Sequence, residues 1–351
     1  MDILRRPGLP EPEGYLAAVR GAEQTLLEEP PDVRPPSRSG EPGGLVLLRP
    51  ELPTVVVPDL HARMEFLASV LALRPEGGPR VLDRLEEGSI QVVCVGDGFH
   101  AEGRAADRWQ AAMEEFKTGY RRHEAMDAEM RESLGLMEMV MEVKAAHPRY
   151  FHFLKGNHEN IANQQGEGNF PFLKFANEGL MVLVYMRAFF GEDVLQAHAD
   201  FEKRLPLLAV GRSFLVSHAE PAGFFSREDL LEYRQRPEVV YGLTWTDNGE
   251  AEENSVGEML VSYLGEEQAQ RAYYFGGHRP VRGRFAVRAG GRYVQIHNPE
   301  SYVVAVLPAD GDIDPERDIR IVEQQQLGTQ AVGAEAVGAE EYGEEAGEDD
   351  R

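Results

Sequence analysis

Cysteine is nearly absent. Cys94 is the only one in 351 residues, which excludes an intrachain disulfide and any structural zinc site built from thiolates. Basic residues are scarce as well: 36 Lys and Arg stand against 60 Asp and Glu, a formal charge of −24. That balance argues against a nucleic-acid backbone as partner, because neutralising phosphates takes a cationic surplus. Long apolar runs are missing too. The most apolar stretch, Gly179 to Phe190, is short and contains Arg187, so no membrane span is expected. The segment from Met1 to Gly14 lacks an apolar core of signal-peptide length. A cytoplasmic location is the resulting expectation.

What is present fits a globular α/β protein, with 42% hydrophobic and 27% charged residues. Residues 1–43 read as an N-terminal extension: a helix over Glu13 to Glu29, then a Pro- and Gly-rich linker. Residues 44–310 read as the main domain, with helical inserts at about 105–146 and 170–205. In the first insert Met126, Met130, Leu134, Met137 and Met141 recur at helical spacing and predict a packed face. Residues 311–351 form a C-terminal segment that repeats AVGAE (331–335 and 336–340) and ends in acid, a composition expected to be disordered.

Most residues of chemical interest follow short apolar runs. Thr54–Val57 leads into Asp59 and His61, Ile90–Val95 into Asp97 and His100, and Tyr150–Leu154 into Asn157, His158 and Glu159. Phe214–Val216 leads into His218, and Ala272–Phe275 into His278. In open α/β sheets, ligands collect outside the carboxyl ends of the strands, where loops converge. Five such ends bearing Asp, His or Asn point to one site.

Hydrolysing a phosphate ester needs a nucleophilic oxygen, charge neutralisation and a proton for the leaving group. Two divalent metal ions supply the first two, bringing the pKa of a bound water from about 15.7 toward about 7. Without thiolates, carboxylate plus imidazole is the ligand set on offer, and Mn, Fe, Zn and Co all accept it. Asp59 and His61 share one loop, Asp97 is the natural bridging carboxylate, Asn157 offers an amide oxygen, and His218 and His278 can close the second shell.

The ordered blocks Asp59-x-His61, Gly96-Asp97, Gly156-Asn157-His158-Glu159, a lone His218 and Gly277-His278-x-Pro280 resemble the calcineurin-like metallophosphoesterases. Leu243-x-Trp245-x-Asp247 and the single histidine of the last block are similar to the phosphoprotein (serine/threonine) phosphatase branch, including bacterial members and symmetrical diadenosine tetraphosphatases. The resemblance covers roughly Leu45 to Pro308 outside the inserts. It implies a two-sheet metallophosphoesterase sandwich flanked by helices, and hydrolysis of phosphoesters by a metal-bound hydroxide. It gives the first metal Asp59, His61 and Asp97, and the second Asp97, Asn157, His218 and His278. His158 matches the proton donor to the leaving group. The relatives also bring the segment that holds His297 near the site.

Three positions depart from the family's pattern. Pro58 replaces a glycine before the first Asp. His100 stands where relatives carry the Asp that charges the proton-donating histidine, so His100 becomes a catalytic candidate as its partner or as a group facing substrate. Ala101 replaces the phosphate-clamping Arg, leaving Arg104 and Arg279 as substrate-binding candidates. The expected substrate is a phosphorylated protein or a small phosphoester. A nucleotide or dinucleoside polyphosphate hydrolase, and a metal-holding scaffold with faded catalysis, stand as alternatives.

Overall fold

A computed structural model describes residues 2–324; the acidic repeats of the tail lie outside them. Eleven strands form among the described residues: β1 (Leu45–Leu47), β2 (Thr54–Val57), β3 (Gln91–Cys94), β4 (Phe151–Phe153), β5 (Leu208–Val210), β6 (Phe214–Val216), β7 (Tyr273–Gly276), β8 (Ala286–Arg288), β9 (Tyr293–Gln295), β10 (Val303–Leu307) and β11 (Ile319–Ile321). They build a six-stranded sheet in the order β1-β5-β6-β7-β9-β8 and a five-stranded sheet in the order β11-β10-β2-β3-β4.

Side-chain alternation decides how the layers stack, since successive residues of a strand face opposite sides. Val56, Val93, Val303 and Ala305 of the five-stranded sheet meet Ala209, Val216, Phe275 and Val294 of the other in one apolar layer. Their neighbours Val55, Val57, Val92 and Cys94 face outward, into a core shared with helices. Leu45, Leu208, Leu215, Tyr274 and Tyr293 do the same on the far side of the six-stranded sheet, against the helices Pro237–Thr244 and Ser255–Leu264. The result is helix, sheet, sheet, helix: the α/β two-sheet sandwich expected from the sequence.

The first helical insert is a hairpin of Ala106–Lys117 and Glu124–Ala146, reversed at Gly119 and Tyr120, both at positive φ. Met126, Met130, Leu134, Met137 and Met141 are all fully buried on the second helix. The second insert differs from its reading. Helices span Glu178–Phe189 and Glu192–Arg204, but Phe170–Asn177 is irregular, in keeping with Pro171 near its start.

The N-terminal helix Pro12–Leu27 buries Tyr15, Val19, Ala22 and Leu26 in the same core as that Met-rich face. Beyond it, Glu29 is buried against three cationic or polar groups. Its carboxylate meets Arg34 Nη1 at 2.8 Å, Lys144 Nζ at 2.5 Å and His152 Nδ1 at 3.7 Å. Burial pushes that carboxyl up, yet Lys144 and Arg34 outweigh it and hold the group well below the usual carboxylate range. Among the described residues, no helix is long and apolar enough to cross a membrane.

Removing one member of a buried ion cluster strands the others, at about 3–5 kcal/mol. Glu29→Gln should therefore lower stability at neutral pH by about that much, read by denaturant or thermal unfolding. Because the folded-state pKa is depressed, this contribution is present above about pH 4.3 and lost as pH falls further. The gap between wild type and variant should then narrow in acid; a gap independent of pH would contradict the assignment.

Candidate metal centre

In each sheet three parallel neighbours end at one rim. β2, β3 and β4 are parallel and adjacent in one sheet, and β6, β7 and β9 in the other. The loops after the first three carry Asp59, His61, Asp97, Asn157 and His158; those after the second three carry His218, His278 and His297. Two layers of the sandwich thus deliver their functional side chains to one place.

The expected ligands converge. His61 Nε2 lies 3.7 Å from Asp97 Oδ2, and His218 Nε2 lies 3.4 Å from the same oxygen. His218 Nδ1 is 3.6 Å from Asp59 Oδ1. Asn157 Oδ1 sits 2.9 Å from His218 Nε2 and 3.0 Å from His278 Nδ1. Asp97 is therefore central, within reach of both halves of the cluster, as a bridging carboxylate must be.

Backbone conformation aims these groups. His61, Asp97, His100 and His278 all adopt positive φ, between 42° and 64°. Such residues cost about 1 kcal/mol or more each and persist where the surroundings enforce them. The enforcement is visible. Glu159 accepts from the backbone N–H of Asp97 (2.8 Å), Gly98 (2.7 Å) and Gly156 (2.6 Å), tying the loops after β3 and β4 together. Asp97 Oδ1 accepts from His158 N, and Asp59 from His278 N. Gly277 allows the last contact: a Cβ there would lie 1.8 Å from Asp59 Oδ2.

Burial sets the charges. It pushes the Asp59 carboxyl up, and the Asp97 carboxyl well up with help from neighbouring Asp59 and Glu159. It pushes His61 down to about 3, His278 down to about 3, and His218 well below its ordinary value. The imidazoles are thus neutral, with one N–H each. His61 Nδ1 donates to His100 O at 3.1 Å and His218 Nδ1 to Val95 O at 3.2 Å. Their Nε2 lone pairs then face the oxygens of Asp97 and Asn157. Among the described residues, His278 Nε2 is buried without a hydrogen bond of ordinary geometry. Lone pairs aimed at carboxylates in a dry site call for a cation between them, and the mix of carboxylate, amide oxygen and imidazole suits divalent transition metals.

The remaining candidates fall into two groups. His158 lines the cavity over the cluster, with Nε2 3.7 Å from Asp97 Oδ2. His100 lies behind it, Nδ1 to Nδ1 at 3.0 Å, so it is a partner of His158 and does not line the cavity. Arg279 lines the cavity and makes a two-pronged pair with Asp247, at 2.8 and 2.6 Å. Arg104 does not reach it. Its guanidinium pairs with Glu132 at 2.7 Å and lines a separate groove with Arg63 and Tyr302. The helical turn Gly103–Ala105 points it at the Glu124–Ala146 helix.

Several contributors were not assigned from the sequence. Lys174 lines the cavity from the irregular segment of the second insert, and Phe172 packs 3.8 Å from the His158 ring. Glu102 faces His61 at 3.5 Å. His297 is fully buried between Asp59 and Glu102. The family resemblance had already brought its segment near the site, and the end of β9, parallel to β7, places it beside Asp59.

No family profile matches this chain, and no curated protein matches it in sequence. Solved structures do match. A protein serine/threonine phosphatase from Saccharomyces cerevisiae superposes over 91% of this chain and 92% of its own, at 15% identity and a TM-score of 0.54. A cold-active protein tyrosine phosphatase of a psychrophilic Shewanella species is weaker, at 12% identity, 80% and 82% coverage and a TM-score of 0.38. A putative diadenosine tetraphosphatase gives 13% identity, 81% and 100% coverage and a TM-score of 0.39. At such identities the likeness is one of fold, and only the first is close enough to argue from. The chain has the fold of the calcineurin-like metallophosphoesterases, the family whose motifs its sequence resembles.

Glu159→Ala would leave the buried N–H groups of Asp97, Gly98 and Gly156 without their acceptor, at about 1–3 kcal/mol each. A stability loss of about 3 kcal/mol or more is expected in denaturant unfolding. Unchanged stability would mean that the carboxylate does not hold the two loops.

Proposed function

We propose that this protein is a phosphomonoesterase dependent on two divalent metal ions, acting on a phosphorylated protein in the manner of serine/threonine phosphatases. The observation that carries the reading is the meeting of Asp59, His61, Asp97, Asn157, His218 and His278 in one cluster with the Asp97 carboxylate at its centre, beneath a cavity of about 220 Å³. Bound ions would supply Lewis acidity and a nucleophilic water at neutral pH. First-ion ligands would be Asp59, His61 and Asp97; second-ion ligands Asp97, Asn157, His218 and His278.

The chain's own groups do the rest. Lys174 and Arg279 put positive charge on the cavity wall and can receive a phosphoryl group, Arg279 by exchanging Asp247 for it. His158 presents Nε2 toward the cavity as the position from which a leaving oxygen would be protonated. His100 holds the other nitrogen of that ring and so orients it. Phe172 covers both rings and keeps water off them.

A second reading, hydrolysis of a nucleotide or dinucleoside polyphosphate, draws support from the aromatic wall: Trp245 lines the cavity and Phe170, 42% exposed, packs against it. Such rings can stack on a base.

Asp97→Asn should lower hydrolysis of an aryl phosphate by about a thousandfold, since it removes charge shared by both ions. His100→Ala should cost about tenfold on that substrate and more on an alkyl phosphate, whose leaving group needs the proton. Equal rates for Asp97→Asn and wild type would contradict the bridging role. Turnover of a phosphoserine peptide supports the first reading; cleavage of diadenosine tetraphosphate with peptides ignored supports the second. Bound metal without turnover of any phosphoester would leave a metal-holding scaffold.

A further inference from the structure

The centre holds one carboxylate more than the six expected ligands account for. Glu102 is 12% exposed at its side chain and turns both oxygens inward. Oε1 lies 3.5 Å from His61 Nε2, and Oε2 accepts from His297 Nε2 at 3.1 Å. His297 is fully buried, and its other nitrogen stands 3.4 Å from Asp59 Oδ2 without hydrogen-bonding it. Potential ligand atoms, one each from His61, Glu102 and His297, lie within 4.8 Å of one another, as do one each from His61, Asp97 and His158.

His61 belongs to both groups, and that constrains them. Its Nδ1–H is committed to His100 O, so Nε2 carries a single lone pair. That lone pair faces Asp97 Oδ2 on one side and Glu102 Oε1 on the other, at 3.7 and 3.5 Å. One lone pair serves one ion, so the two carboxylates must share it. We infer that Glu102 is a further protein ligand of the first ion, positioned by His297. This rests on the reading of the centre as a metal site. The first ion then has Asp59, Asp97 and Glu102 around a lone imidazole, whereas the second has Asp97, Asn157 and two imidazoles. An oxygen-rich half beside a nitrogen-rich half favours Mn²⁺ in the first position over softer ions. Lys174, 3.6 Å from Glu102 Oε1, offsets part of the added negative charge.

The test uses the full chain stripped with chelator and titrated with Mn²⁺, free Mn²⁺ being read from its solution EPR signal. Wild type should bind two ions. Glu102→Gln should weaken one of them by about 10- to 100-fold and leave the other unchanged. Asn157→Ala should weaken the opposite one. Added Mn²⁺ should raise the thermal unfolding midpoint of wild type more than that of Glu102→Gln, whereas a merely structural glutamate would lower both midpoints and leave the Mn²⁺-induced rise unchanged. A Glu102→Gln isotherm identical to wild type overturns the inference while leaving the metal centre standing. Absence of Mn²⁺ binding by wild type brings down both. Should Glu102→Gln fail to fold, Glu102→Asp, which withdraws the carboxylate by one methylene, is read by the same outcomes.

Discussion

Carboxylates buried beside one another are the constraint on which the rest of this structure turns. Asp59 and Asp97 are almost wholly out of water, Glu102 nearly so, and their rims are lined by imidazoles that burial keeps neutral. In a low-dielectric site such groups repel, and among the described residues no protein cation stands between Asp59, Asp97 and the three imidazoles. Arg63 comes near, but it spends its donors on the backbone oxygens of Asp59, Leu60 and Asn298. The arrangement makes physical sense as a cradle preformed for external positive charge. Its cost appears elsewhere as left-handed backbone at four of its residues, and as a buried Glu159 whose own carboxyl is pushed up to about 7 by burial.

The two sheets divide the work. The five-stranded sheet supplies the carboxylates and the amide, and the six-stranded sheet supplies His218, His278 and His297. Neither can hold an ion pair alone. The spacing between the two sets is set by the apolar layer of Val56, Val93, Val216 and Phe275, which precede Asp59, Asp97, His218 and His278 by two to four residues. Close packing of that kind transmits displacement, so a core side chain far from the rim can still move a ligand.

Much of this could be read in the sequence because the ligand-bearing strands are short apolar runs followed at once by polar residues. β2 and β6 match the expected runs residue for residue, and β3, β4 and β7 shift by one residue at one or both ends. β1, β5 and β11 went unread. Each has three residues, too few for a local periodicity to show; β1 and β5 also pair across a long stretch of chain, Leu45–Leu47 with Leu208–Val210, whereas β11 pairs with the nearby β10. The same holds at the site. Asp97 and Asn157 announce themselves by position, but Glu102 and His297 are 195 residues apart and meet only when the sandwich closes. Arg104 failed for the converse reason: the nearest acid to it in space, Glu132, lies on a helix whose packing the sequence leaves open.

The departures at His100 and Ala101 take on a single meaning in three dimensions. Where the family resemblance puts a carboxylate beside His158 the chain has His100, and the nearest carboxylate in sequence, Glu102, faces His61 instead. On the proposed reading, negative charge sits with the ion cradle and not with the acid. Against a neutral His100 ring the imidazolium form of His158 gains no counter-ion, and burial pushes both rings well down or to about 3. A donor of that kind gives up its proton readily and holds it poorly. On the proposed reading, such an arrangement suits leaving groups that depart with little help and puts the burden of catalysis on the cradle of Asp59, His61, Asp97 and Glu102.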